Sequence, residues 1–328
     1  MNKIKVGIIA PSPPPYGGVT RVIQNNLSHW NSDIESFLFP VNIPKHPDPP
    51  SGTNLVNIYN QSGRSWKGLV DYVSLFSHSP LTKPGNLLKY LNYNLRLSSF
   101  IKKNKLDVLY SHHLWPEGAS AVLQGKIHGI KTLVVTYGET WHTTTQHLRQ
   151  KRVESYVFSN ASWVSATSEH CLQGAKNSGA DASKSSVIYA GIDMDRFHPD
   201  VDGSNFRSQY QIDENTVVIS ALGLALRRKL DLFLEALQYV STVSPIEILI
   251  GGVGDDYDYI KDKTQNLNTV NVKVLGFIEE EILPEFYAAT DILVVSPNSL
   301  LECMGQSMKE AMAAGKPVVG SNIGGIPE

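Results

Sequence analysis

The stretch that decides the fold is SPNSLLECMGQSMKEAMAAGKPVVGSNIGGIPE, residues 296–328. It predicts a strand that ends near Ser296, a loop that carries Glu302 and a helix that begins near Gly305. Glu310 then lies about one to one and a half turns into that helix. Both carboxylates can therefore face one cleft, and the unpaired N–H groups of the helix N-terminus form a site for phosphate oxygens.

Outward from this stretch, short β-branched runs alternate with longer segments of helical spacing. The second half of the chain holds such runs at 217–222, 246–250, 272–275, 292–295 and 317–319. The first half holds them at 4–10, 107–110, 132–136, 163–166 and 187–189. A helical segment at 85–104 repeats leucine at positions 87, 88, 91 and 95. The alternation predicts an α/β fold with parallel sheets covered by helices on both faces.

The chain is long enough for two domains. It has 328 residues, and domains of about 150 residues are common. The segment 198–211 is polar and rich in turn residues, so we predict domains at 1–198 and 199–328. Two open parallel sheets in tandem bind ligands in a cleft between the carboxyl ends of their strands.

Composition excludes several classes of partner. The formal net charge is −2, so no global positive field gathers nucleic acid. No apolar run approaches the roughly 18 residues of a membrane span, and the apolar run near the N-terminus is typical of a buried strand rather than a signal peptide. We predict a cytoplasmic protein and leave open a peripheral position at the inner face of a membrane. The basic residues Arg149, Lys151 and Arg152 form either a solvated helix face or a patch for an anionic lipid-linked acceptor.

Other enzyme classes lack their motifs in this chain. The glycine run at 251–254 does not have the spacing of a nicotinamide-binding fingerprint. Gly315 and Lys316 are followed by proline rather than by the Ser or Thr of a phosphate-binding loop. The ten histidines contain no His-Glu-x-x-His pattern, and two cysteines are too few for a cysteine-rich zinc site. We predict neither a metal ion nor a cofactor.

The segment 302–328 closely resembles the Glu-x7-Glu signature of family 4 glycosyltransferases, which are retaining enzymes of the GT-B fold. The likeness continues through EAMAAGKPVV, residues 310–319, and GGIPE, residues 324–328. The resemblance implies that Glu310 accepts hydrogen bonds from two ribose hydroxyls of the donor nucleotide and that Glu302 holds hydroxyls of the transferred sugar. Backbone amides of Met304, Gly305 and Gln306 would cap the sugar and the diphosphate.

A pair of glycines, Gly17 and Gly18, follows the first strand and its prolines. Glycines at such a turn let the backbone approach a bulky anion and open a helix behind it. The pair resembles the glycine loop with which the same family approaches the donor diphosphate from the other domain. We therefore predict both glycines as donor-binding residues.

Basic residues follow the strand at 217–222. An enzyme that expels a nucleoside diphosphate without a metal must stabilise negative charge with fixed cations and amide dipoles. The family places an arginine just after this strand and a lysine about five residues later, and here Gly223 and Arg228 stand at those positions. Either Arg227 or Lys229 substitutes for the missing arginine, or stabilisation of the diphosphate is weakened. We predict Glu302, Arg228 and Lys229 as catalytic residues, and Gly223 and Arg227 as donor-binding residues.

Two further turns resemble binding segments of the family. Gly276 and Phe277 resemble the turn whose backbone amides pair with the nucleobase. Tyr137 and Gly138 occupy the place of a His-Gly pair that contacts the donor sugar. Because tyrosine replaces the histidine, the imidazole could instead come from one of the nearby histidines, which are His142 and the pair His112 and His113.

The resemblance implies two Rossmann-like domains facing a central cleft. It also implies a metal-independent, retaining transfer of a sugar from a nucleotide-sugar to a saccharide or lipid-linked acceptor, in polysaccharide or glycoconjugate synthesis. Two alternatives stay open: an epimerase or phosphorylase on the same scaffold, and a non-catalytic partner subunit that binds nucleotide-sugar. Members of the family continue beyond the Gly-Gly turn, so we expect the second domain to be incomplete and the chain to be truncated near its C-terminus.

Overall fold

The chain folds into two compact units, Met1–Gly191 and Ile192–Glu328. The structure is a computed structural model, and it describes residues 3–10, 18–40, 84–138, 148–223, 226–240, 245–252, 257–265, 267 and 270–328. The division predicted after residue 198 stays a prediction. The segment that precedes it contributes Ile192 and Phe197 to the apolar core of the second unit.

The described part of the first unit is a six-stranded sheet with helices. Its strands are β1 (Ile4–Ala10), β2 (Ile34–Pro40), β3 (Val108–Ser111), β4 (Lys131–Thr136), β5 (Trp163–Ala166) and β6 (Ser185–Val187). Its helices are α1 (Gly18–Ser28), α2 (Pro84–Asn104), α3 (Ala119–His128), α4 (Leu148–Asn160) and α5 (Glu169–Asn177). The strand order is β2-β1-β3-β4-β5-β6, and every pairing is parallel.

The second unit is a five-stranded parallel sheet. Its strands are β7 (Val217–Leu222), β8 (Ile246–Gly251), β9 (Asn271–Gly276), β10 (Ile292–Val295) and β11 (Val318–Gly320). Its helices are α6 (Ser204–Gln209), α7 (Leu226–Leu237), α8 (Tyr257–Gln265), α9 (Leu283–Ala289) and α10 (Gln306–Ala313). The strand order is β11-β10-β7-β8-β9, again with parallel pairings throughout. The prediction of two parallel α/β units is confirmed.

Helix α2 coincides with the segment at 85–104 that the leucine spacing predicts to be helical. The leucines at positions 88, 91 and 95 predict a helix correctly, but their side chains are 67%, 50% and 71% exposed. The buried stripe of α2 is formed instead by Tyr93, Leu97, Phe100 and Ile101. Tyr93 and Phe100 lie against Phe39 of β2, with ring centroids 5.3 and 5.2 Å apart. Aromatic rings bury more area than leucine side chains, so this stripe faces the sheet.

The turn-rich segment 198–211 also folds into the second unit. It contains α6, whose Phe206 is buried against Phe286 with centroids 5.8 Å apart. Arg207 of the same helix donates to the Asp291 carboxylate at 2.8 Å. In the part of the chain that the structure describes, no helix is long and apolar enough to cross a membrane.

Candidate functional site

The carboxyl edge of the second sheet brings together most of the residues predicted for the donor. Gly223 follows β7, Gly276 ends β9, and the loop after β10 carries Glu302. Phe277 is 42% exposed at this edge. Because the strands are parallel, their carboxyl ends meet at one edge, where ligands of such sheets bind. Three segments that are separate in the sequence therefore lie at the same edge of one sheet.

The loop that carries Glu302 is held by the Gly-Gly turn that follows β11. Gly325 N–H donates to the Glu302 carbonyl oxygen at 3.1 Å. Gly324 has φ of 61°, and a Cβ at that position would lie 2.1 Å from the same carbonyl oxygen. Glycine is therefore required there by both backbone conformation and space. This contact assigns a structural role to the GGIPE turn, which sequence reasoning quoted only as part of a resemblance.

Glu310 lies inside the unit rather than on its surface. Its side chain is 1% exposed, and its Oε2 accepts a hydrogen bond from the Tyr287 hydroxyl at 2.7 Å. Glu302 is only partly buried, so the two glutamates differ in their access to solvent. Sequence reasoning missed Tyr287, which lies in the apolar run of α9. The tyrosine in an otherwise apolar helix indicates a hydrogen-bonded position, because a buried tyrosine hydroxyl usually has a hydrogen-bond partner.

Helix α10 begins directly after this loop. Gly305 is its N-cap residue and supplies no side-chain cap, so the first N–H groups point out of the helix. The side-chain amide nitrogen Nε2 of Gln306 is buried and has no hydrogen-bond partner among the described residues. A buried donor without a partner is uncommon in folded proteins, and here it stands where the sugar and diphosphate are predicted to bind.

Glycines line the neighbouring strand ends of the sheet. Gly223 N–H donates to Gly251 O at 3.2 Å, and Gly252 N–H donates to Gly276 O at 2.7 Å. Gly252 has φ of 121°, and a Cβ there would lie 2.3 Å from the Gly223 carbonyl oxygen. The turns after β7, β8 and β9 therefore approach one another by backbone alone, which requires a glycine at position 252.

The cations of this site are only partly described. Arg227, Arg228 and Lys229 lie at the start of α7, and their side chains are outside the described residues. Lys309, which sequence reasoning did not single out, is partly buried beside Glu310, and burial lowers the pKa of its ammonium to about 8 while the Glu310 charge opposes that shift. Among the described residues, no group of three or more His, Cys, Asp or Glu side chains could hold a metal ion.

The first unit places its predicted contact residues at the ends of β3 and β4. His112 Nδ1 and the Tyr137 hydroxyl lie 2.7 Å apart, and the His113 ring centroid is 5.8 Å from that of Tyr137. Gly138 is buried next to Tyr137, and Gly18 is exposed at the start of α1. Gly17 and His142 lie outside the described residues. The tyrosine that replaces the family histidine is thus paired with an imidazole.

His112 is buried and uncharged. Burial, and to a lesser degree the neighbouring His113, lowers the pKa of its imidazole from 6.5 to about 3. The titratable groups around it are Tyr110, His113 and Tyr137. Its Nε2 has no hydrogen-bond partner within the described ranges, so protonation would place a charge in an unsatisfied interior position.

We expect this histidine to make the first unit sensitive to acid. Between pH 6.5 and about 3 the unfolded chain binds a proton at His112 that the folded chain does not, so stability should fall as pH falls through that window, by at most about 1.4 kcal/mol per pH unit. The free energy of unfolding, measured by denaturant titration at pH 7.5, 6.0 and 5.0, should fall less steeply in His112→Gln than in the wild type. The exposed His29→Gln change is the matched control, and an equal slope in all three proteins would contradict the expectation.

The chain resembles proteins of known structure and proteins of a known family. A solved structure from Anabaena, described as HepE in complex with UDP and glucose, superposes with a TM-score of 0.69 at 20% identity, covering 98% of this chain and 82% of that one. The fold is therefore that of the two-domain GT-B glycosyltransferases. Residues 16–196 match the family described as Glycosyltransferase Family 4, and residues 202–328 match Glycosyl transferases group 1. The chain belongs to glycosyltransferase family 4.

Two curated relatives illustrate the range of the family. An uncharacterized glycosyltransferase of Methanocaldococcus jannaschii is 31% identical over 150 residues, which is 44% of this chain and 38% of the relative. The UDP-Gal:alpha-D-GlcNAc-diphosphoundecaprenol alpha-1,3-galactosyltransferase of Escherichia coli is 25% identical over 281 residues, 82% of this chain and 71% of the relative. The match to the first of these spans well under half of that relative's length.

Proposed function

We propose that this protein transfers a sugar from a nucleotide-sugar donor to an acceptor hydroxyl with retention of the anomeric configuration and without a metal ion. The observation that carries the proposal is the first part of α10, which follows the Glu302 loop: the side-chain nitrogen Nε2 of Gln306 has no partner among the described residues, and the Glu310 carboxylate is buried nearby in the same helix. One short segment thus contains hydrogen-bond donors for phosphate and sugar oxygens and acceptors for hydroxyl groups. A UDP and glucose complex of the structurally similar Anabaena protein supports a nucleotide-sugar as donor.

The residues divide the chemistry between binding and charge stabilisation. The backbone amides of Met304, Gly305 and Gln306 would hold the diphosphate and sugar, with the positive end of the α10 dipole facing the leaving group. Glu302 would orient sugar hydroxyls, and Glu310 would accept from the ribose. As the bond between the anomeric carbon and the phosphate oxygen breaks, the acceptor oxygen bonds to that carbon on the same face. The proton of the acceptor hydroxyl passes to the departing phosphate.

The leaving diphosphate needs further positive charge. We assign this role to Arg228 and Lys229, with Arg227 as a donor-binding cation, because they begin α7 next to the glycine-lined end of β7. In the first unit, Tyr137, Gly138 and His113 stay proposed contacts for the sugar or the acceptor, and Gly17 and Gly18 stay proposed donor-binding residues. His142 stays a sequence-based candidate for the same contact.

Activity on defined donors tests the proposal. UDP-, GDP- and ADP-sugars would be incubated with saccharide and polyprenyl-diphosphate-linked acceptors, and the nucleoside diphosphate and the anomeric proton coupling of the product would be measured. Release of nucleoside diphosphate with an unchanged anomeric configuration is expected. Tight donor binding without turnover on any acceptor would favour a partner subunit, and sugar conversion without release of nucleoside diphosphate would favour an epimerase.

We further propose a lipid-linked acceptor and a peripheral position at a membrane, on the inner, cytoplasmic side. Helix α2 contacts α3, and α3 contacts α4. Helix α2 contains four Lys or Arg residues, α3 contains one and α4 contains three. The three helices contain a single acidic residue, Glu154, and it is buried. Leu88, Leu91 and Leu95 of α2 and Ile127 of α3 are exposed. Basic residues beside exposed apolar side chains are typical of surfaces that bind anionic lipid.

Vesicle binding tests the membrane proposal. The wild type should co-sediment with vesicles that contain phosphatidylglycerol and much less with pure phosphatidylcholine. The triple variant Leu88→Ser, Leu91→Ser, Leu95→Ser should bind the anionic vesicles about tenfold more weakly, because it loses apolar area that would leave water. Tyr239→Ser, an exposed apolar change in the second unit, is the control. Equal binding by the triple variant and the wild type would rule out this face as the contact.

A further inference from the structure

The hydroxyl of Tyr287 is a polar group in an otherwise apolar core. The residue is fully buried, and its ring lies edge-on to Phe197 and Phe286, with centroids 5.7 and 5.3 Å away. A phenylalanine would fill the same space without burying a hydroxyl, as Phe286 does next to it. Burial of a hydroxyl is unfavourable unless it makes a hydrogen bond, so we expect the Tyr287 hydroxyl to have a hydrogen-bond acceptor in the core.

The Tyr287 hydroxyl donates a hydrogen bond to Oε2 of Glu310. The two oxygens are 2.7 Å apart, and both residues are almost completely buried. A hydrogen bond to an ionised carboxylate is short and roughly twice as strong as one between neutral groups. Because the ring of Tyr287 is fixed between two aromatic neighbours, the bond fixes the direction of one Glu310 oxygen from the side of the core.

The contact connects two segments that are 23 residues apart in the chain. Tyr287 belongs to α9 and Glu310 to α10, and along the chain these two helices are separated by β10 and the Glu302 loop. A carboxylate has about four acceptor positions, and a donor from the core occupies one of them. The carboxylate is thereby oriented by a donor from a different helix, α9, and not only by the helix that carries it.

We propose that Tyr287 is a positioning residue that aligns the Glu310 carboxylate with the ribose hydroxyls of the donor nucleotide, and that this pair sets the preference for ribose over 2′-deoxyribose. The inference rests on the proposed function, because it requires Glu310 to contact the nucleotide. It goes beyond that function in naming which residue controls the geometry. Tyr287 itself acts through Glu310 and does not touch the donor.

Binding of paired nucleotides tests the proposal. The dissociation constants of UDP, GDP and ADP would be measured by calorimetry, and the tightest of them compared with its 2′-deoxy analogue. The wild type should prefer the ribose form by roughly 10- to 100-fold, as expected for a hydrogen bond to a charged group. In Tyr287→Phe that preference should fall below about fivefold, and the donor KM should rise more than kcat falls.

A matched control separates positioning from a general loss of packing. Tyr210 lies at the same core, with its ring 4.7 Å from that of Phe206, and Tyr210→Phe removes the same atom from a tyrosine. This variant should keep the wild-type preference for ribose. If Tyr287→Phe also keeps it, the inference is overturned while the proposed function stands. If the wild type binds a nucleotide without any preference for ribose, the inference fails and the transferase proposal survives.

A second variant covers the case in which Tyr287→Phe does not fold. The double variant Tyr287→Phe, Glu310→Gln contains no buried carboxylate at this position, so it removes the main reason for instability. It should show the same ribose preference as Glu310→Gln alone, because both residues act through one contact. A further loss of preference in the double variant would show that Tyr287 acts independently of Glu310. Failure of the wild type to bind any of the three nucleotides would overturn the proposed function together with this inference.

Discussion

Replacement of Glu310 by alanine should lower kcat/KM for the nucleotide-sugar donor by roughly 100- to 1,000-fold, since it removes a charged acceptor from the proposed ribose contact. The carboxylate is buried and bonded to Tyr287 at 2.7 Å, so its removal also leaves a buried hydroxyl without that partner. We therefore expect a loss of stability of about 1–3 kcal/mol in the same variant. Initial rates of nucleoside diphosphate release and a thermal unfolding scan would measure the two effects.

Two further variants separate the contributions of charge and volume. Glu310→Gln keeps the side-chain size and should retain more stability than the alanine variant while still losing most of the activity. Glu235→Ala changes an exposed glutamate of α7 and should leave both quantities unchanged. A Glu310→Ala protein that is folded and turns over within threefold of the wild type would remove Glu310 from the donor site.

Alanine at Gly324 should reduce activity by about 100-fold, the order of loss expected when a reacting group is displaced by about 1 Å. The new Cβ would lie 2.1 Å from the Glu302 carbonyl oxygen, so the loop that carries Glu302 must move. The residue also adopts φ of 61°, which costs a non-glycine residue about 1–2 kcal/mol. Steady-state kinetics and denaturant unfolding of the purified variant would test both expectations.

Gly129 provides the matched control for this change. It has φ of 68°, and a Cβ there would meet nothing within 4 Å. Gly129→Ala therefore has the cost of the left-handed conformation without the collision, and it should be moderately destabilised with full activity. If Gly324→Ala behaves like Gly129→Ala, the Gly-Gly turn does not hold the Glu302 loop in the way that the geometry indicates.

Local sequence pattern is sufficient to predict the two α/β units and the order of strand, loop and helix around Glu302. The β-branched runs and the helical spacing between them predict two parallel sheets, and both are present. The sequence also predicts the loop with Glu302 and the helix that follows it, and both are present. A short loop between a strand and the next helix allows few arrangements of the two elements. Short-range steric and hydrogen-bonding preferences determine such elements, so they can be read without knowledge of distant residues. The roles assigned to the individual residues stay proposals.

Other features depend on which distant segments meet. The sequence of α2 holds two apolar stripes, and only packing against Phe39 of β2 decides that Tyr93 and Phe100 are buried and that Leu95 is exposed. In the same way, the pairing of His112 with Tyr137 joins two strand ends. A one-dimensional pattern identifies a candidate apolar face but does not contain the surface against which that face packs.

The sequence by itself therefore determined the class of fold, the family and the segment that holds the two glutamates. Tertiary structure alone decided that Glu310 is buried and bonded to Tyr287, and that Gly324 lies beneath the carbonyl of Glu302. The physical reason is one of range. Secondary structure follows from neighbours within a few residues, whereas the direction of a buried carboxylate depends on donors from other elements, such as the Tyr287 hydroxyl, that the folded core places within hydrogen-bonding distance.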